Sequence, residues 1–183
     1  MEGATCTYEI GWPHIQENLR LVNKSIYGLP ESISKKGVCE NPAAERMKDD
    51  IYRVYGIAII IDGGKDKLDL VSLIEHYQTL KEFYKNYEQK LEKLGINRND
   101  EEVKKNVENI KKYVACYLEK ISTLRKNKAH ELLKNPHGFS KDELEYLKDF
   151  PRKELTPEEK EAIRLCLVKT FEEVYKNISQ GNW

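Results

Sequence analysis

The sequence has no long hydrophobic run, and its longest uninterrupted apolar stretch, from Ile57 to Ile61, is far too short to span a membrane. It also lacks the charged-then-apolar N-terminal stretch of a signal peptide. Net charge is absent as well, since 31 Lys and Arg balance 31 Asp and Glu. The chain therefore has no excess of positive charge that would require an anionic partner. These absences predict a cytoplasmic protein with no membrane span and no indiscriminate binding of polyanions.

Cysteine is scarce, and the four cysteines are widely spaced without a C-x-x-C pair. Cys116 and Cys166 stand in apolar helical patterns, where a free thiol packs as a small hydrophobic side chain, so we expect reduced thiols. The four histidines form no i, i+4 pair, and no carboxylate cluster has the spacing of metal ligands. The sequence accordingly predicts no metal and no other cofactor.

What the sequence does have is helical periodicity, beginning with two helices in its first third. Pro13 and Pro42 each stand in the first turn of a helical pattern, where the missing N–H of proline costs nothing. The second pattern contains the run YRVYGIAIII, whose β-branched residues would also suit a strand, but its spacing favours a helix. We expect residues 1–64 to form a loose arm and two helices that pack on the rest of the chain.

Two long amphipathic helices follow. Apolar residues recur every three or four positions over residues 70–94 and again over residues 103–124. A short turn separates the two segments, so the helices are expected to lie antiparallel with their apolar seams facing each other. Tyr77, Tyr84 and Tyr87 fall on the first seam, where packing in the core is favoured over stacking on bases.

The C-terminal part contains two marked helix starts. Ser140 and Glu143 form a capping-box sequence with a hydrophobic staple around it, and Thr156-Pro157 opens the last helix. The residues of this last helix that we expect to point inward are Ile163, Leu167, Thr170, Phe171, Val174 and Ile178. The whole pattern predicts an all-α, up-and-down bundle of about five to six helices, with residues 65–180 as the main bundle.

One segment departs from its own apolar pattern. The seam that reaches Leu124 predicts an apolar residue four positions later, where the sequence has Lys128. Residues 120–134 hold five basic residues against a single acid, which makes a local positive patch in a neutral chain. At about 100° per residue, Arg125 and His130 lie roughly 140° apart and each points away from the seam. We therefore expect both side chains to face outward, into solvent or a partner.

This segment resembles the motif of HEPN domains, an Arg followed by a few residues and a His near the end of a long helix. Arg125 and His130 match it in the form R-K-N-K-A-H. The order of parts is similar to that of HEPN proteins of the abortive-infection type, over a likeness that runs from residue 68 to residue 178. Catalytic members often have a polar Asn, Asp or His after the Arg, whereas this chain has Lys126 there and Asn127 one position later.

The resemblance implies a metal-independent endoribonuclease, a toxin or antiviral effector that uses the ribose 2′-OH as its nucleophile. His130 would then move or orient the proton of that hydroxyl, and Arg125 would clamp the phosphate with its bidentate fork. Asn127 would orient either group, while Lys126 and Lys128 would hold the flanking RNA. The family's usual homodimer pools two motifs in one cleft, so the implied partners are RNA, a second copy, and an antitoxin or defence-system protein.

Two other interpretations stay open. The chain is alternatively a non-catalytic helical module that binds RNA or a protein through the same basic patch, which the departure at Lys126 favours. In a third interpretation the partner is simply another helix, and the tyrosine-rich seam of residues 70–94 is then expected to be partly exposed.

Overall fold

The computed structural model describes residues 12–27, 42–64 and 68–181, and these residues form helices joined by short connections. The α-helices are α1 (Trp12–Tyr27), α2 (Pro42–Gly63), α3 (Leu70–Lys93), α4 (Glu101–Lys134), α5 (Lys141–Lys148) and α6 (Pro157–Ser179). Short 3₁₀ helices at Pro136–Gly138 and Arg152–Glu154 flank α5. The predicted all-α bundle is confirmed, and the β-branched run lies inside α2 as a helix.

The chain divides into two compact units. The first unit takes residues 1–66 and 76–121, and the second takes residues 67–75 and 122–183. Both long helices, α3 and α4, therefore contribute to each unit. The division predicted between residues 64 and 65 stays a prediction, and the arm expected at the N-terminus lies outside the described residues.

A buried polar network joins three helices in the first unit. The Tyr87 hydroxyl on α3 donates to Asn18 Oδ1 on α1 at 2.6 Å. The Asn18 Nδ2 group donates to the backbone carbonyl of His14 at 2.8 Å and to that of Asn106 on α4 at 3.3 Å. Burial raises the pKa of the Tyr87 hydroxyl well above its ordinary value. Because each of these buried groups has a partner, the network fixes the register of α1 on the two long helices.

The tyrosine-rich seam is mostly buried. Tyr87 lies in the core as expected, and Tyr77 is half-buried. Tyr84 is 40% exposed, with the ammonium of Lys111 lying over its ring at 4.5 Å from the centroid. Of the seam's leucines in the first unit, Leu80 and Leu91 are fully buried and Leu94 is half-buried. The helix-partner interpretation expects a partly exposed seam, and along it Tyr84 is exposed while Tyr77 and Leu94 are half-buried.

The cysteines differ from expectation at one position. Cys166 in α6 is a free, buried thiol, and burial raises its pKa. Cys116 in α4 is also buried but is disulfide-bonded. The expectation of a reduced thiol is therefore wrong for Cys116, because the spacing of cysteines along a sequence does not show which ones the fold brings together. None of the described helices is long and apolar enough to cross a membrane.

The core of the second unit gathers the two ends of the long helices and both C-terminal helices. Its buried residues are Leu70, Ile74, Leu132, Phe139, Leu147, Leu155, Ala162, Ile163 and Cys166. The predicted capping box at Ser140 with Glu143 is confirmed, and the helix start predicted at Thr156-Pro157 contains a second capping box, closed by Glu159. The two residues of the predicted staple lie together in this region, Phe139 within the core and Leu144 packed against it.

The inward face predicted for α6 is largely wrong. Ile163 is buried as expected, but Leu167, Phe171, Val174 and Ile178 are exposed, as is Thr170. The face that packs on the core runs instead through Glu159, Ala162, Ile163 and Cys166. The two faces lie side by side on the helix and both have three- and four-residue spacing. Periodicity identifies apolar faces, but it does not say which of two adjacent faces this chain covers.

Replacing Tyr87 with Phe is expected to lower the free energy of unfolding by about 1–3 kcal/mol, because it leaves Asn18 Oδ1 buried without its donor. Urea denaturation measures the change. Tyr84→Phe is the matched control and should leave the unfolding free energy within about 0.5 kcal/mol of wild type. Equal stability of the Tyr87 and Tyr84 variants would contradict a role for the network.

Candidate functional site

The motif segment lies in the last turns of α4, and its side chains differ in how deeply they are buried. Lys126, Asn127 and His130 are exposed, and Lys128 is half-buried. Arg125 is buried, with only 5% of its surface exposed. The structure thus confirms an outward direction for His130 but not for Arg125, and it does not present the two predicted catalytic side chains on one exposed face.

The Arg125 guanidinium is held by a carboxylate of α6. Its Nε donates to Glu159 Oε2 at 2.8 Å, its Nη2 donates to Glu159 Oε1, and Nη2 also donates to the carbonyl of Glu154 at 3.2 Å. The two side chains of the ion pair are 6% and 0% exposed. This is a buried, bidentate pair of the geometry for which Arg is suited.

The prediction that Arg125 faces outward is wrong because the buried face of α4 shifts around the helix near its C-terminal end. After Ile121 the buried residues are Arg125, Ala129 and Leu132, in steps of four, four and three, while Leu124 is only half-buried. An apolar pattern alone favours Leu124 as the next core position. A charged residue takes the position instead because Glu159 neutralises it there.

Glu159 has a second role, at the start of α6. Its Oε1 accepts a hydrogen bond from the Thr156 backbone N–H at 2.9 Å, and its own N–H donates to Thr156 Oγ1 at 3.2 Å. One carboxylate therefore closes the capping box and neutralises Arg125. The sequence predicted a helix start at Thr156-Pro157, but nothing in the local pattern indicated the long-range partner of Glu159.

This geometry gives Arg125 a structural role. The guanidinium fork that would clamp a phosphate is already filled by a carboxylate and a backbone carbonyl. A phosphate would have to displace Glu159, leaving that carboxylate buried without its cation. Arg125 therefore fixes the end of α4 to the first turn of α6.

The predicted positive patch is partly neutralised by ion pairs. Besides Arg125, Lys120 is paired with Asp62 at 3.3 Å, within the first unit. Lys128 is paired with Glu131 at 3.7 Å. Three of the five basic residues counted in the sequence thus contact carboxylates. The exposed basic surface that remains is small, with Lys126, His130 and Lys134 following one another at four-residue intervals on one face of α4.

No family model, curated protein or solved structure matches the chain. The resemblance to HEPN domains accordingly stays a prediction. Among the described residues, no group of three or more His, Cys, Asp and Glu side chains is placed to hold a metal ion.

A cleft in the first unit, of about 610 Å³, has six charged residues in its lining, three of which pair with one another. Glu88 accepts from Lys111 at 2.8 Å and contacts Arg98 at 3.5 Å. The hydrogen bond from Lys111 lowers the pKa of the Glu88 carboxyl, and the nearby positive charges add to this effect. Glu88 thus offsets one of these two positive charges, and Arg98 also pairs with Glu92 at 2.9 Å. Lys104 and Lys112 line the cleft as well, with Glu108 as the second acid, so the lining has more basic than acidic residues.

A second surface feature, unpredicted by the sequence, lies on the C-terminal half of α6. All residues from Leu167 to Gly181 are exposed, and the large apolar ones are 39–72% exposed. They are Leu167, Val168, Phe171, Val174, Tyr175 and Ile178, which we call the α6 stripe. At about 100° per residue, all six lie within roughly 60° of Phe171 around the helix axis. A band this wide is typical of a helix face that packs against another element.

Arg125→Met is expected to destabilise the fold by about 3–5 kcal/mol, because it leaves the Glu159 carboxylate buried without its cation. Urea denaturation gives the free energy of unfolding. Lys126→Met, at the adjacent exposed position, is the matched control and should cost no more than about 0.5 kcal/mol.

Adding Glu159→Gln to Arg125→Met should recover part of the loss, because the amide can keep the cap without a buried charge. If Arg125→Met proved as stable as Lys126→Met, the structural role of Arg125 would be wrong.

Proposed function

We propose that the chain is a non-catalytic helical module that binds a protein through the α6 stripe. The observation that carries this proposal is the exposure of six large apolar side chains on one face of a helix, with Phe171 alone 72% exposed. At their exposed fractions the six present roughly 600 Å² of surface, at the upper end of the largest apolar patches found on monomers, which are often functional.

The helical state of this segment supports the same proposal. Isolated helices of about 12–15 residues are marginal in water, and most helices in proteins are stabilised by packing of an apolar face. The first half of α6 has such packing through Ala162, Ile163 and Cys166, but the second half is exposed throughout. A partner that covers the stripe would supply the packing that the C-terminal half lacks.

The chemistry of the segment favours a protein over a nucleic acid. Residues 167–181 carry two lysines and two glutamates, so the segment has no net charge to attract phosphates. Phe171 and Tyr175 offer rings for base stacking, but single-strand binders combine such rings with a positively charged groove. The members of the stripe are Leu, Val, Ile, Phe and Tyr, the side chains of a protein–protein interface core.

A pull-down from the native cells tests the proposal, with the intact chain as bait and Phe171→Glu/Tyr175→Glu as the stripe variant. The partner should be recovered with wild type, as a second copy or another protein, and its recovery should fall at least tenfold with the variant. Ile59→Glu is the matched control, since Ile59 is 54% exposed on α2. If recovery of the partner does not depend on any stripe residue and the chain is monomeric, the proposal is wrong.

A metal-independent endoribonuclease is the second candidate. The observation that favours it is the exposed row of Lys126, His130 and Lys134 on α4, which places a histidine capable of proton transfer between two cations. In this candidate Arg125 supports the helix end rather than contacting the phosphate. The antitoxin or defence-system partner and the cytoplasmic location belong to the same hypothesis and stay predictions.

Cleavage of labelled RNA in the presence of a chelator separates the two candidates. The binding-module proposal expects wild type to cleave no faster than buffer. A ribonuclease would cleave RNA and lose about 100-fold or more in rate with His130→Ala, the loss typical of a missing general acid or base. His137→Ala removes another exposed histidine and is the matched control.

A further inference from the structure

We infer that the protein covering the α6 stripe is a second copy of this chain, packed antiparallel on the stripe with Phe171 at the centre. This inference rests on the proposed binding function and names its partner. Three properties of the α6 segment support it, namely its symmetry, its charge and its exposed area.

The stripe is nearly symmetric about Phe171. When two copies of α6 run antiparallel about this centre, Phe171 faces its own copy across a twofold axis. Val168 lies on the same edge as the partner's Tyr175 and about one residue from its level, and Leu167 stands in the same relation to the partner's Val174. Each of these pairs occurs twice, so five of the six stripe residues meet another stripe residue.

Ile178, the sixth member, comes level with Arg164 of the other copy. The Arg164 guanidinium is paired with Glu161 at 2.7 Å, which holds its charge to one side. Its methylene stem is then available to cover Ile178, as long basic side chains commonly do at interfaces. The arrangement therefore leaves no stripe residue opposite an unpaired charge.

The electrostatics of the segment permit self-association. With Lys169 and Lys176 balancing Glu172 and Glu173, two copies of residues 167–181 bring no net charge together. Lys169 also contacts Glu172 at 3.9 Å, so part of this balance is local. Antiparallel helices place opposite dipole ends side by side, which favours this orientation over the parallel one.

The area reaches the lower end of what a specific dimer needs. Complete burial of two stripes of roughly 600 Å² each would remove at most about 1,200 Å² from water, which is the lower bound of standard protein–protein interfaces. An interface of this size is expected to give a dimer that dissociates on dilution. It also differs from the homodimer implied by the HEPN resemblance, which would join the motif segments of α4 rather than the two copies of α6.

Sedimentation equilibrium of the intact chain over a range of micromolar concentrations tests the inference. Wild type should form a dimer, and Phe171→Glu should raise the dissociation constant by at least about 30-fold, the loss expected at an interface hot spot. Ile59→Glu places the same charge at a similarly exposed position on α2 and should leave the dimer unchanged. Circular dichroism checks that both variants keep the helical content of wild type.

A pair of variants with complementary charges tests the antiparallel register. This test does not depend on whether Phe171→Glu folds. Val168→Lys and Tyr175→Glu should each be monomeric alone, since each places a charge against an apolar side chain. Mixed in equal amounts they should form a heterodimer, because the lysine introduced in one chain then meets the glutamate introduced in the other. If wild type forms a dimer but the mixture of the two variants does not, the antiparallel register is wrong.

A monomeric wild type at the highest concentration, or a dimer unaffected by Phe171→Glu, would overturn the second copy as the occupant. If the pull-down then recovers a different protein in a stripe-dependent way, the proposed binding function stands and only this inference fails. If it recovers nothing that depends on the stripe, both fail.

Discussion

The buried ion pair between Arg125 and Glu159 connects the end of the longest helix to the start of the last one. It lies where α4 and α6 meet within the second unit, with both side chains almost inaccessible to water. A buried pair of this kind adds little net stability over an apolar pair, but losing one partner is costly. The pair holds the end of α4 against the first turn of α6, with the Glu159 face of α6 directed to the core.

That orientation decides what the rest of α6 does. With Glu159 directed at Arg125, the residues one and two turns later on the same side, Ala162, Ile163 and Cys166, enter the core. The neighbouring apolar face then turns outward and continues to the end of the helix as the α6 stripe. The same ion pair fills the guanidinium fork that a phosphate would need, which weakens the ribonuclease hypothesis.

Local features of the sequence predicted the fold well, because helix starts and ends depend on nearby residues. The capping box at Ser140, the helix start at Thr156 and the proline at the start of α2 all lie where the sequence predicted them. The candidate site was predicted less well, because the burial of Arg125 depends on a carboxylate 34 positions away. The same limit applies to Cys116 and to α6. The local sequence shows neither whether a cysteine is bonded nor which of two adjacent helix faces is covered.

The charge balance of the chain points in the same direction as its packing. In the segment that resembles a nucleic-acid site, Lys120, Arg125 and Lys128 each contact a carboxylate, so much of its positive charge is neutralised within the fold. On α6 the charges are balanced along the helix and the exposed face is apolar. A polyanion gains little from either surface, whereas an apolar helix face gains from the stripe by excluding water. On these two surfaces, the charge balance and the exposed apolar side chains support the proposed association with a protein.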